Sequence, residues 1–221
     1  MKNRRAFLLA AGAAAVPAAA LAARKDTASG ASRRGPRVFP YRNPGPSACY
    51  FPNVAVVDQF GREHRLYDDL IQDRILAINF MSVDGDQRYP VTDNLVQVQK
   101  LLPAGARRRL QWLSITLDAE RDTPERLLEF ARTKGAGENW LFLTGDPEDL
   151  AVLHANIFVH RPTPLSPSAN HPRNAFSVPG CSVGLGRYGN EALGRWGSFP
   201  LRIAPESIAE RFSWVGLDGR A

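Results

Sequence analysis

Residues 75–81, Ile-Leu-Ala-Ile-Asn-Phe-Met, form a nearly unbroken apolar run, the pattern of a central strand covered on both faces. A polar turn follows, Ser82-Val-Asp-Gly-Asp-Gln-Arg-Tyr89, and a helix is predicted to start near Pro90. Val91, Leu95, Val98 and Leu102 then recur at helical spacing, and Pro103-Ala-Gly105 stops that helix. Val54–Val57 reads as a short strand, Phe60-Gly61-Arg62 as a turn, and Leu110–Leu117 as a second buried strand. Asp122-Thr-Pro-Glu125 reads as a helix start. Thr123 can cap, Pro124 suits the first helical position, and Glu125 sits near the positive end of the dipole. Leu127, Leu128 and Ala131 supply that helix's apolar face. Trp140–Leu143 is a further strand, and Asp146-Pro-Glu-Asp starts a helix through His154. Strand and helix in alternation predict an α/β sandwich with right-handed crossovers. Residues 160–180 hold five prolines and no periodicity, the pattern of a functional or disordered loop rather than structural padding. Two helices are expected after it, over Tyr188–Trp196 and Pro205–Phe212.

The N-terminus changes the picture of the ends. Arg4-Arg5 with Phe7-Leu8 behind them, an Ala-rich run and a small-residue cleavage site near Ala22 resemble a twin-arginine export signal. Phe7–Leu21 is shorter than the ~20 apolar residues a membrane span needs, so no transmembrane segment is expected in the mature chain. The chain divides into an export signal (1–22), a basic flexible linker rich in Gly, Ser, Arg and Pro (23–47), and one folded domain (48–221). The mature protein is expected in the periplasm.

The net charge of +6 invites a nucleic-acid reading. Lys2, Arg4 and Arg5 belong to the signal, and residues 23–47 carry a balance of +5, so the folded part sums to −2. No support for nucleic-acid binding is left. A basic tail can touch acidic lipid or a partner.

Candidate chemistry is sparse. Cys49 and Cys181 could form one disulfide in an oxidising compartment, but spacing alone does not show that they meet. His64, His154, His160 and His171 lack metal-ligand spacing and read as surface or capping residues. Asp84 and Asp86 bracket Gly85 without the further oxygen ligands of a calcium loop, and read as a solvated turn. Ser82, Ser114 and Ser182 have no partner motif for nucleophilic work. No catalytic constellation is present, and the chain is not expected to be an enzyme.

Leu117-Asp-Ala-Glu-Arg-Asp-Thr-Pro-Glu-Arg-Leu127 is close to the D-x-E-x-D-T-P signature of the SCO/SenC family. Trp140-Leu-Phe-Leu-Thr-Gly145, the strand ending Asn79-Phe-Met81, and Arg187-Tyr-Gly-Asn-Glu-Ala-Leu-Gly-Arg-Trp196 also fit. The chain resembles that family over roughly residues 50–215. The resemblance implies a thioredoxin-like sandwich, a central mixed β-sheet flanked by helices, and a role in assembling the copper site of cytochrome c oxidase. In that family the turn after the strand carries C-x-x-x-C-P. Aligning Phe80 and Pro90 puts Gly85 and Tyr89 at the two cysteine positions, and Ser182 at the third, histidine ligand. Copper favours sulfur and nitrogen donors, and disulfide exchange needs a thiolate. The resemblance therefore implies a degenerate member: no cofactor is expected, and copper enters by family likeness alone. The favoured expectation is a non-catalytic binding or assembly factor whose partner is a respiratory oxidase subunit or a copper-handling protein. Its surface would combine the Pro-rich loop with the turn around Asp84–Tyr89. Two alternatives stand beside it: a copper carrier with a site rebuilt around Cys181, and a thiol oxidoreductase using Cys49 and Cys181.

Overall fold

The computed structural model describes residues 35–158 and 184–217. The export signal, Cys181, Ser182, His160, His171 and the Pro-rich loop lie outside those residues. Seven strands are described: β1 (Ala55–Asp58), β2 (Glu63–Arg65), β3 (Ile75–Met81), β4 (Leu110–Thr116), β5 (Trp140–Thr144), β6 (Leu185–Asn190) and β7 (Arg195–Pro200). They form one mixed sheet in the order β2-β1-β5-β4-β3-β6-β7. β3, β4 and β5 run parallel, and β1, β6 and β7 pair antiparallel.

Both faces of the sheet are covered, as the apolar run 75–81 requires. Ile75, Ala77 and Met81 point to one core with α2 (Val91–Leu101), α4 (Pro124–Lys134) and α6 (Pro205–Arg211). Leu76, Ile78 and Phe80 point to the other, against α5 (Pro147–Phe158) and a π-helical turn at Leu66–Ile71. On the first face Trp112 stacks on Trp140 at 5.1 Å between ring centroids. Ser114 accepts the Trp140 indole N–H at 2.8 Å and donates to Asn79 Oδ1 at 2.7 Å. That hydroxyl is therefore a structural link between three strands.

Several expectations hold. Thr123 caps α4, with Pro124 at its first position and Gly135 closing it in the left-handed conformation at φ 68°. α2 starts at Val91 and α5 at Pro147. Others need correction. Phe130, not Leu128, completes the buried face of α4, beside Leu127 and Ala131. Pro103-Ala-Gly105 ends α2 but also opens a short helix, α3 (Ala104–Arg109). The expected helix over Tyr188–Trp196 is instead the β6–β7 hairpin, turned by a 3-10 segment at Glu191–Leu193. Glycines face aromatic rings across it: Gly186 with Phe199, Gly197 with Tyr188, Gly189 with Trp196. A Cβ at Gly197 would sit 2.7 Å from the Tyr188 ring. The glycines admit rings that a helix would scatter round its circumference.

Residues 35–47, read from the sequence as the end of a flexible linker, are tied to the domain. Val38 bridges Val54, Phe39 N–H donates to the Asn53 carbonyl at 2.9 Å, and Arg37 N–H donates to Asp149 at 2.6 Å. Two aspartates account for much of this anchoring. Asp149 is buried at the start of α5, and buried Asn53 bridges Pro40 to Asp68.

The β1–β2 hairpin is held by Asp58, which is 1% exposed. Its Oδ1 accepts the backbone N–H groups of Phe60 and Arg62, and its Oδ2 sits 2.9 Å from His64 Nε2. Burial works against its charge, but the hydrogen bonds from His64, Arg62 and Phe60 outweigh that and hold the carboxyl below its ordinary value. A carboxyl depressed on folding adds stability above its unfolded pKa, near 4, that is lost as pH falls through the lower folded value. Asp58→Asn is therefore expected to destabilise at pH 7 by about 1–3 kcal/mol, with a deficit that shrinks below about pH 4. Urea midpoints at pH 7 and pH 3 test this, and a pH-independent deficit would refute it.

Candidate functional site

The segment after β3 is a short helix rather than a loose turn. Ser82 is fully buried, and its Oγ accepts the Gly85 N–H at 3.1 Å, capping α1 (Val83–Arg88). Gly85 O accepts the Tyr89 N–H at 2.9 Å. The two positions that the family alignment assigns to cysteines are thus one helical turn apart, joined through the backbone. Gly85 is buried and Tyr89 half-buried, with the Arg202 guanidinium 5.2 Å from the Tyr89 ring centroid.

The acidic residues flanking Gly85 do not form a solvated turn. Asp86 is 1% exposed: Oδ1 accepts the Thr92 N–H at 2.7 Å, and Oδ2 lies 2.8 Å from Lys134 Nζ. Lys134 also pairs with Asp93 at 2.8 Å. Burial opposes the lysine's charge, but hydrogen bonds and attraction from Asp86 and Asp93 outweigh it and raise its pKa. Asp84 pairs with Arg121 at 2.7 Å and with Arg126. The correction has a geometric cause. The loop after β4 brings Arg121, the first turn of α4 brings Arg126, and the last turn of α4 brings Lys134 to the acidic residues of α1.

The D-x-E-x-D-T-P stretch supplies the other half of this clamp. Asp122, 1% exposed, accepts the Val83 N–H at 3.1 Å and the Thr116 hydroxyl at 2.6 Å. Arg126 joins it at 3.2 Å. Burial raises the Asp122 pKa, while Thr116, Val83 and Arg126 pull the other way without cancelling it. Thr116 Oγ1 in turn accepts the Asp118 N–H at 2.9 Å, and the Leu117 N–H donates to Met81 O at 2.7 Å. The signature thus welds the ends of β3 and β4 to the N-terminus of α1. Sequence reading missed Arg121, Arg126 and Lys134. The i, i+4 spacing of Asp122 and Arg126 was a usable signal, whereas nothing local linked Lys134 to Asp86.

Chemically the turn is poor in donors. Gly85 offers no side chain and Tyr89 only a phenol, so these two positions do not fit a soft copper ion. The remaining expected residues are scattered or outside the described segments. Cys49 is exposed on the 3-10 turn Ala48–Tyr50 and has no disulfide partner among the described residues. His64 is occupied with Asp58 on an edge strand. His154 is half-buried on α5, edge-on to Phe80 at 4.9 Å, and burial lowers its pKa, so it is a packed residue rather than a surface or capping one. Among the described residues no three His, Cys, Asp or Glu side chains are grouped to hold a metal ion, and no helix is long and apolar enough to cross a membrane.

The SCO1/SenC family model matches residues 90–174. Similar solved structures include an SCO1/SenC family lipoprotein from Bacillus anthracis, 19% identical with a TM-score of 0.55, covering 75% of this chain and 94% of that one. Yeast Sco1 with copper bound is 17% identical with a TM-score of 0.55, covering 76% and 87%. ScoI of Bradyrhizobium japonicum with copper bound is 16% identical with a TM-score of 0.50, covering 73% and 96%. No curated protein matches the chain. The SCO/SenC resemblance read from the sequence and the thioredoxin-like fold class are both borne out.

Proposed function

We propose that this chain, an SCO/SenC relative, is an exported protein that serves the assembly of a respiratory oxidase's copper site by binding a protein partner. In this reading it supplies neither thiol chemistry nor a copper site of the family's kind at its α1 turn. The observation that carries the reading is the turn itself. By sequence likeness Gly85 and Tyr89 stand where the family has its thiols, and Asp84 and Asp86 beside them are paired with Arg121, Arg126 and Lys134. The same segment keeps a surface for a partner, because Gln87 and Arg88 are exposed next to half-buried Tyr89. The oxidase connection comes from the family likeness.

A Cu(I) competition titration on the reduced protein tests this. No stoichiometric tight binding is expected. Tight one-to-one binding abolished by Cys181→Ser would overturn the proposal in favour of a carrier with a rebuilt site. The exposed Cys49 supports the thiol-exchange alternative, whose other cysteine, Cys181, lies outside the described residues. Thiols that stay unchanged through cycles of mild oxidant and reductant, followed by alkylation and intact mass, would remove it.

A further inference from the structure

The N-terminal ends of the parallel strands lie at the opposite edge of the sheet from the α1 turn. There a cavity of about 530 Å³ is lined by Asp73, Arg74, Arg108, Arg109, Gln111 and Glu138, among others. Its volume is in the range of small-ligand clefts, about 300–1,000 Å³, but its lining is charged. Arg74 is held in place: it donates to Gln111 Oε1 at 2.9 Å and to the Asp69 carbonyl at 3.1 Å. A guanidinium has five N–H groups, so Arg74 keeps donors to spare.

Arg108 and Arg109 are the last two residues of α3. Cations at a helix C-terminus are commonly explained by the exposed carbonyls there. Here the carbonyls of Arg107 and Arg108 already accept the Asn139 side-chain amide at 3.1 and 2.9 Å. That bond also fixes the backbone carrying the two arginines against the start of β5. Among the described residues neither Arg108 nor Arg109 makes an ion pair, although Asp73 and Glu138 line the same cavity. Charges of both signs therefore share one cleft without neutralising each other, and the cations are in the majority.

We propose that this cleft binds an oxyanion of the phosphate class, gripped by Arg74, Arg108 and Arg109. Planar guanidinium forks match phosphate oxygens in paired hydrogen bonds. Asp73 and Glu138 then accept from hydroxyl or amine groups attached to the phosphate. The same chemistry is offered by a small phosphorylated molecule or by a phospholipid headgroup, and the test separates them.

Pyrophosphate and inorganic phosphate are titrated calorimetrically into the protein at low ionic strength, and flotation is run with phosphatidylglycerol vesicles. Binding is expected to weaken at least tenfold in Arg108→Gln/Arg109→Gln and in Arg74→Gln, and to stay unchanged in Arg132→Gln, an exposed control on α4. Soluble-phosphate binding lost in these variants supports a small-molecule ligand. Vesicle binding alone, lost in the same variants, supports a headgroup. No binding to any probe, or equal binding by every variant, overturns the proposal. The arginines are exposed, so thermal melts are expected to match wild type, and a variant that melts early is replaced by its lysine counterpart. Lysine keeps the charge but loses the fork, and should recover less than half of the lost affinity.

Discussion

Asp122→Ala is expected to cost the domain about 3–5 kcal/mol. The carboxylate is buried and satisfies three groups at once: the Val83 N–H, the Thr116 hydroxyl and the Arg126 guanidinium. Truncation strands the first two without water, at about 1–3 kcal/mol each, and removes one partner of a partly buried ion pair. Arg126 softens the loss because it is a third exposed and still holds Asp84. Asp122→Asn keeps one acceptor and should cost about half as much. Because burial raises the Asp122 pKa, the asparagine variant should compare more favourably with wild type at neutral pH than at acid pH. Urea denaturation measures the stability. Hydrogen exchange over Val83–Asp86 measures whether α1 loosens with it. A loss below 1 kcal/mol, with exchange at α1 unchanged, would show that the signature does not hold the turn.

Glu191→Ala is the second large effect, again about 3 kcal/mol or more, from the cost of unsatisfied buried donors. Glu191 is 1% exposed. Its Oε1 accepts the Ser47 N–H at 3.0 Å and the Tyr67 hydroxyl at 2.8 Å, and its Oε2 accepts the Trp196 indole N–H at 2.9 Å. Tyr67 in turn accepts the Gly45 N–H at 2.7 Å. One carboxylate thus joins the N-terminal segment, the π-helical turn and the last hairpin. Burial and then the bond to Glu191 push the Tyr67 phenol well above its ordinary pKa, so it stays a neutral donor at any working pH. Glu191→Gln preserves the shape and should retain half or more of the stability. Indole fluorescence should report release of Trp196, which also packs on Phe51 at 4.5 Å. A Glu191→Ala protein with unchanged midpoint and unchanged emission would contradict this assignment.

These two carboxylates show why part of the site stayed hidden in the sequence. The D-x-E-x-D-T-P stretch could be recognised, and the cap at Thr123 with Pro124 could be placed, because both depend on neighbours a few residues away. The role of Asp122 could not be read, because its donor Val83 lies 39 residues upstream. Glu191 is further removed, 144 residues from Ser47. Its surroundings, Tyr-Gly-Asn-Glu-Ala-Leu-Gly, suit a helix by spacing alone, and only the aromatic rings facing glycines across β6 and β7 settle on a hairpin. Asp84 and Asp86 were misread for a similar reason. A charged pair beside glycine is usually solvated, and the cations that pair with this one come from α4 and the loop before it.

The amino-acid sequence by itself determined the alternation of strands and helices, the two-faced cover of β3, the caps, and the SCO/SenC likeness with Gly85 and Tyr89 where cysteines are expected. Those properties rest on periodicity, on local backbone chemistry and on residue identity. The tertiary structure decided which charges are buried and with whom. It turned residues 35–47 from linker into part of the domain, and the turn around Asp84–Tyr89 into a clamped helix. Burial and pairing are set by chain segments that meet only after folding, and hydrogen-bond and ion-pair energies depend on separations of a few ångströms that no local pattern encodes.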